Sequence, residues 1–501
     1  MKALERIDRW IFDEFQPCAR GLPLFRILFA LFILVFYFPR FSPLAGIPPW
    51  FFHPPLSFAT FIPGVPPGWF YYLLDFLGEL SALCLLFGYR TRIAGSALLA
   101  AILIGNTYRF SIGPKIDHEI LILAILFCLG FSGWGNRLSH DEKRISSAER
   151  LITPSWPIAL LVLIVSFCML TAVYPKALSG WASPHVLACH GQMIANYVQM
   201  ERPSSVADHL LQIQTPIFWK MADYSTLFIE AGFIFCIFSL PASRSIASAA
   251  VIFHALIFYS MCIFFSANLM AYACLLDLRR FLWNGRVRHS VSRFGRLARR
   301  IRFPHLFILA LAFLGLRLAL DDTDIDLMFL PNNLLILIAL VIAVVSILYS
   351  VASLADRLIF GHAFPLRANH SLVILYDGEC GLCDKWVQFV LKHDHRSIFR
   401  FAPLQSQAGK ELLREAVSTE SDLSSMILII DRKAYFRSTG ALMILRQLGG
   451  FWSLSGTFGF VPASLRDAAY SLVAANRHRW FPKAGDSCQL LSPVHSGRFL
   501  S

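Results

Sequence analysis

Two thiols three positions apart carry the most specific chemistry in this chain. Cys380 and Cys383 lie in the run Tyr376-Asp377-Gly378-Glu379-Cys380-Gly381-Leu382-Cys383-Asp384, directly after the apolar residues 372–375. If they open a helix they stand one turn apart and can close a disulfide. The first thiol then sits at a helix N-terminus, where unpaired amide N–H groups and the macrodipole favour the thiolate, the nucleophile of disulfide exchange. Cys380 is therefore the expected attacking thiol, and Cys383 the expected thiol that resolves the mixed disulfide. Asp377 is either a proton acceptor or the cap of the turn. Lys385 either steadies the thiolate or is a solvated helix residue. A dithiol needs no further cofactor. The competing reading is half of a zinc site, but no second Cys-x-x-Cys or Cys/His pair completes a tetrahedron, Cys488 and His478 being the nearest candidates.

The elements that must hold this pair alternate. Residues 371–376 read as a strand, 380–392 as a helix, 398–401 as a second strand ended by Pro403, and 410–417 as a helix. Residues 426–430 and 434–436 read as a hairpin across Asp431-Arg432-Lys433, followed by a helix over 440–448. Strand, helix and strand opening on Cys-x-x-Cys suggest a thioredoxin-like βαβ unit. One departure concerns substrate grip: Ser424-Ser425 precede the strand at 426, where thioredoxin places a proline facing the dithiol.

Almost everything before this domain belongs in a membrane. The chain has 501 residues, 56% hydrophobic and 15% charged, with a mean hydropathy of +0.57, against about 25% charged residues in soluble proteins. Residues 22–38, 69–88, 93–108, 120–134, 156–174, 227–240, 306–320 and 334–354 read as spans of roughly 30 Å of hydrocarbon. Residues 246–283 exceed one span and read as two short ones turning near Ser266 to Asn268. With the N-terminus inside, ten spans place the basic connections 89–92, 136–150 and 279–302 inside and the acidic run 321–326 outside. Nine spans is the alternative, and it moves the redox domain to the other face.

The expected fold is a polytopic α-helical membrane protein of about ten spans with a C-terminal thioredoxin-like α/β domain. Residues 1–285 form its membrane domain, 286–365 an Arg-rich loop and two additional spans, and 366–490 the redox domain. The tenth span ends inside, so the N-terminus and the dithiol are expected to face the cytoplasm of a bacterial-type inner membrane. A disulfide there is catalytic or transient. The net charge of +13 fits arginines facing anionic lipid, about 1 kcal/mol each near the surface. No nucleic-acid module is present, and residues 1–17 are too charged and mixed for a cleavable signal. Of eleven cysteines, Cys84, Cys128, Cys168, Cys236, Cys262 and Cys274 sit singly in apolar spans and read as small hydrophobes. The expected partners are the bilayer and a protein or small-molecule thiol or disulfide.

A second constellation lies in the spans, where ionisable groups are functional hypotheses by default. Asp117-His118-Glu119 opens the fourth span and Lys176 closes the fifth, both at the outer face. A partly desolvated lysine can act as a base, with a histidine polarising an oxygen. The alternative for Lys176 is a snorkelling anchor. His185, Cys189 and His190, on an outer loop, could bind a metal or belong to an interfacial amphipathic segment.

Two families are resembled. Tyr376-Asp377-Gly378-x-Cys380-x-Leu382-Cys383, Phe401-Ala402-Pro403-Leu404-Gln405-Ser406, Ser425-Met426 and Tyr470…Asn476-Arg477-His478-Arg479-Trp480-Phe481 resemble the signature of DCC-type thiol–disulfide oxidoreductases over about 370–485. That resemblance implies a thioredoxin-like fold and dithiol–disulfide activity. Tyr174-Pro175-Lys176-Ala177-Leu178-Ser179-Gly180-Trp181 looks like the Lys-Leu-x-x-x-Trp segment of the HTTM domain, the membrane part of vitamin K-dependent γ-glutamyl carboxylase. Asp117-His118, Gly135 to Asp141 and Tyr224 to Glu230 fit the same likeness over about 1–285. It implies Lys176 as a base toward a quinone-like or other lipid-soluble ligand, supported by His118, with Glu230 as a supporting acidic residue entering a span. The chain lacks the large lumenal domain that receives a glutamyl substrate, so γ-carboxylation is not expected. A non-enzymatic membrane scaffold is the third class. The dithiol and the Lys176 site are expected on opposite faces.

Overall fold

A computed structural model describes residues 8, 10–15, 21–37, 40–54, 58–61, 64–112, 120–146, 153–201, 204–238, 240–276, 278, 285–321, 336–345, 347–348, 351–352, 372–378, 380–394, 397–416, 426–480 and 496–500. Asp117-His118-Glu119, Glu379, Ser424-Ser425, Cys488, Arg279, Arg280 and most of the acidic run after Asp321 lie outside the described residues. The chain divides into two compact units, Met1–Ile347 and Leu348–Ser501.

The first unit is helical. Its main helices are α1 (Leu22–Phe32), α2 (Trp69–Phe87), α3 (Thr91–Ile112), α4 (Ile120–Leu129), α5 (Trp156–Leu178), α6 (Pro216–Gly232), α7 (Leu240–Met261), α8 (Ser266–Leu275), α9 (Gly285–Arg300) and α10 (Phe303–Asp321). Among the described residues five stretches are long and apolar enough to cross a membrane: Leu22–Gly46, Trp69–Phe87, Thr91–Ile112, Trp156–Leu178 and Ala242–Met261. Ile120–Leu129, Phe303–Gly315 and Ile336–Val345 are apolar but shorter. At 1.5 Å per residue a ten-residue helix such as α4 reaches only about 15 Å, so a count of ten full crossings is not reached among the described residues.

Two local readings shift. The apolar stretch expected at 227–240 is the end of α6, which starts at Pro216 and tightens into a 3₁₀ turn at Phe233–Ile237. Pro216 is pre-set for a first helical position. Lys220 and Asp223 do not stop the helix, because they bond to each other and to backbone groups of the preceding loop. The break inside 246–283 falls at Cys262, which takes φ +52, so α7 and α8 turn a few residues before the expected Ser266 to Asn268.

The motif 135–141 is a structural knot. Arg26, fully buried, donates to the carbonyls of Trp134, Arg137 and Leu138 at 3.2, 3.3 and 2.7 Å. Asp141 accepts from the Arg90 and Thr91 amides and the Thr91 hydroxyl, capping the start of α3. Glu142 pairs with Arg299 of α9 at 2.9 Å.

The second unit is a mixed sheet covered on both faces. Its elements are β1 (Leu372–Tyr376), α11 (Gly381–His393), β2 (Phe399–Pro403), α12 (Gln407–Ala416), β3 (Ile427–Ile430), β4 (Lys433–Phe436), α13 (Arg437–Leu448), α14 (Ala463–Ala475) and α15 (Arg477–Trp480). Strand order is β2-β1-β3-β4, with β1 and β2 parallel and the other pairs antiparallel. β1 is central and buried throughout, which is why it reads as an unbroken apolar run. Leu372, Ile374 and Tyr376 pack with Val387, Val390, Met443 and Ile444 of α11 and α13 on one face. Val373 and Leu375 face the other way, toward Leu412 and Leu413 of α12. The hairpin turn is shorter than expected. Lys433 pairs with Ile430 inside the ladder, and Asp431 and Arg432 alone make the turn at φ +48 and +71. Two positive φ values match the twist of a tight hairpin. A further segment seals β2: the Leu500 amide donates to the Phe401 carbonyl at 2.8 Å, and Phe499 stacks on Phe401.

Candidate functional site

The parallel β1–α11–β2 unit brings the dithiol to the C-terminal edge of the sheet. Tyr376 ends β1, and the turn Asp377 to Cys380 closes with the Cys380 amide donating to the Asp377 carbonyl at 3.3 Å. Cys380 is the N-cap of α11, and its carbonyl accepts from Asp384 at 3.1 Å. Cys383 follows one turn inside. Both sulfurs are free thiols, and both residues belong to the apolar cluster under α11.

Both thiols are buried. Cys380, the expected nucleophile, has 0% of its surface exposed, and Cys383 has 8%. Burial pushes the Cys383 thiol up to about 12. The neighbouring Cys380 adds to the rise, while a hydrogen bond from the Asp377 backbone opposes it. Cys383 is thus a protonated thiol at neutral pH.

Asp377 is held from two distant segments. Its carboxylate accepts from Gln405 Nε2 at 2.9 Å and pairs with Arg477 Nη2 at 3.5 Å. Gln405 also accepts from the Gly378 amide at 3.2 Å, so one side chain holds the first two residues of the turn. Tyr376 stands opposite Pro403 in the register, and its carbonyl accepts from Leu404. Three of the four motif segments, through Asp377, Gln405 and Arg477, therefore meet at one turn. Gln405 and Arg477 had no assigned role in the sequence reading, although both lie inside the motifs it singled out. Lys385 is exposed on α11.

In the first unit Lys176 lies in the last turn of α5 and forms an ion pair with Glu230 of α6. Trp181 folds back so that its ring lies 5.4 Å from the ammonium. That fold is pinned from α6. Lys220 donates to the Trp181 and Val186 carbonyls at 2.8 and 2.7 Å and to Asp223 at 2.9 Å. Asp223, fully buried, accepts from the Ala188 and Cys189 amides. Trp219, Asp223, Thr226 and Glu230 form one buried stripe of α6.

Lys176 and Glu230 line a cavity of about 1600 Å³, together with His254 of α7 and Asn268 of α8. His254 went unremarked in the sequence, although a lone histidine in an apolar span was the available signal. The expected Lys176–His118 pair involves a residue outside the described ones; among the described residues Lys176 pairs with Glu230. His185, Cys189 and His190 do not converge: Cys189 Sγ lies 3.7 Å from the Thr226 hydroxyl, and the His190 ring packs 4.5 Å from Trp219. Among the described residues no group of three or more His, Cys, Asp or Glu side chains could hold a metal.

Residues 374–483 match the DCC1-like thiol-disulfide oxidoreductase family. Over 128 residues, 26% of this chain and 93% of the relative, the sequence is 40% identical to the uncharacterized protein YuxK of Bacillus subtilis (strain 168). Over 119 residues, 24% of this chain and 69% of the relative, it is 38% identical to the DCC family protein At1g52590, chloroplastic, of Arabidopsis thaliana. No solved structure matches.

Proposed function

Through its C-terminal domain the chain belongs to the DCC1-like thiol-disulfide oxidoreductase family, and we propose that it is a membrane-anchored thiol–disulfide oxidoreductase cycling Cys380 and Cys383 on a thioredoxin-like domain. The Cys380 thiolate attacks a substrate disulfide, forming one S–S bond and expelling one substrate thiolate, which takes up a proton. The Cys383 thiol gives up its proton and attacks Cys380 Sγ. The second substrate thiol leaves reduced, and the Cys380–Cys383 disulfide closes. Two protein or small-molecule thiols return the pair to the dithiol and leave joined as a disulfide. Asp377, locked beside the pair by Gln405 and Arg477, keeps the turn in place and sets a carboxylate near the proton that Cys383 must lose. The basic connections 89–92, 136–150 and 279–302 support the reading that this domain faces the cytoplasm.

The observation that carries the reading is the convergence of three of the four motif segments on the turn that presents Cys380. The test is reduction of a model disulfide by the full-length protein in detergent. Wild type turns over with added dithiol, and Cys380→Ser does not. A reduced, folded wild type with no turnover would sink the proposal.

A second reading makes the HTTM-like membrane unit the catalyst, with Lys176 as base toward a quinone-like or other lipid-soluble substrate and the redox domain accessory. The pairing of Lys176 with Glu230 on a cavity wall favours it. It predicts that Lys176→Ala abolishes a cellular phenotype while disulfide turnover stays normal. Silence of both variants in cells leaves the scaffold.

A further inference from the structure

Helix α14 of the redox domain is built inside out. None of its 13 residues is buried, yet its charged pair is the part turned inward. Asp467 accepts from the Ser438 amide at 3.3 Å, and from the Ser438 hydroxyl, at the start of α13. Arg466 donates to the same hydroxyl at 3.3 Å and to the Val461 carbonyl at 2.9 Å. Leu465, Ala468, Ala469 and Leu472 share the opposite face and are exposed, the two leucines at 63% and 62%. The preceding 3₁₀ run, Gly450–Phe460, ends alike, with Phe458 and Phe460 exposed. A helix facing water carries the reverse pattern, leucines in and charges out. This surface is matched to an apolar neighbour.

The same unit indicates which neighbour. A Cβ at Gly456, within the 3₁₀ run, would stand 3.0 Å from Ala352 Cβ and 2.6 Å from Arg446 Nε, and Ala352 is itself fully buried. Ala352 lies close to the end of the apolar stretch 334–354, which reads as a span. The run that leads to Phe458, Phe460 and α14 is therefore packed against the residues where the chain leaves hydrocarbon. Arg479, exposed beyond the end of α14, suits anionic headgroups. A second copy of the chain would give no reason for the apolar surface to start at the membrane edge.

We infer that α14 and the Phe458–Phe460 end of the 3₁₀ run lie on the bilayer surface. Leu465, Leu472 and the two phenylalanines enter the boundary between headgroups and acyl chains, as the apolar face of an interfacial helix does. The redox domain is then held to the membrane by its own surface as well as by the preceding span. Docking requires no thiol exchange, so it stands or falls apart from the activity of Cys380 and Cys383. It does confine that pair, because Arg477 of α15, which follows α14, holds Asp377 of the dithiol turn.

The test uses full-length protein in lipid nanodiscs containing anionic phosphatidylglycerol. A benzophenone-bearing residue replaces in turn Leu465, Leu472 and, as reference, the exposed Lys410 of α12. After illumination, lipid adducts counted by mass spectrometry should be at least about tenfold more abundant at the two leucine positions than at Lys410. Leu472→Asp should cut the adduct at position 465 by a similar factor with the unfolding midpoint unchanged, since it sets a charge on the face that meets lipid. Equal adducts at all three positions would overturn the inference. So would an undiminished adduct in Leu472→Asp, or crosslinks from both leucine positions to a second copy of the chain in place of lipid.

Discussion

Cys380 and Cys383 stand on one helix turn, whereas Lys176 and Glu230 meet across 54 positions of sequence. The first pair is made by local structure. A strand end, a four-residue turn and a helix start bring two thiols together in any scaffold that keeps the turn. The second pair is made by packing. It exists because Lys220 and Asp223 fasten the loop after α5 to the same buried stripe of α6 that carries Glu230. Their burial differs in kind as well. A neutral thiol enters an apolar core at little cost, while a buried ammonium or carboxylate is tolerated only with its partner in place. The dithiol should thus be robust as structure and fragile as chemistry, and the ion pair the reverse.

The sharpest way to break that contrast is at Cys380. Cys380→Ser should bring disulfide turnover to background with little change in thermal midpoint, while Cys383→Ser should accumulate the mixed disulfide, visible by intact mass. A Cys380→Ser protein that still turns over would deny the pair its roles.

Glu230→Leu comes next. It strands the Lys176 ammonium, and about 3 kcal/mol of stability should be lost. Lys176→Met with Glu230→Leu should recover most of it, read as unfolding midpoints in detergent. A double variant as poor as the single one would mean that packing, not charge, governs the site.

The Cys383 proton gives a third, smaller effect. A thiol held at about 12 against an ordinary value of 9.0 stabilises the reduced fold fully below pH 9. That contribution is lost as pH rises from 9 toward 12, because the unfolded state releases the proton first. Denaturant unfolding under reductant should therefore weaken more steeply over that window in wild type than in Cys383→Ser. Parallel curves would remove burial as the cause.

The smallest effect belongs to Arg477→Ala. With both partners about 15% exposed, losing the Asp377 pair should cost about 1 kcal/mol or less. The telling readout is a slower closure of the mixed disulfide, since Asp377 then loses one of the side chains that hold it.

The same contrast explains what the sequence disclosed. The βαβ unit and its dithiol were legible because strand periodicity, helix amphipathicity and Cys-x-x-Cys spacing are all local signals. The Asp431–Arg432 turn was misplaced by one residue because nothing in Lys433 announces that it belongs to the ladder. Lys176 and Glu230 were each visible as charges near span ends, but their pairing was not, because it depends on the tertiary approach of α5 and α6. The burial of Cys380 was hidden too: spacing fixes which thiol leads the helix, not what packs over it. Short helices such as α4 and α8 blur the count of crossings, since an apolar run has the same composition whether it spans or packs.

The segment Phe499–Leu500, bridged to Phe401 at the outer side of β2, has a practical consequence. An uncovered strand edge is a template for another chain, and here the polypeptide fills its own. Removing the residues from Ser496 onward, or crowding them with a fused tag, should uncover that edge and favour strand-mediated self-association of the redox domain. An expression tag is better placed at the other terminus.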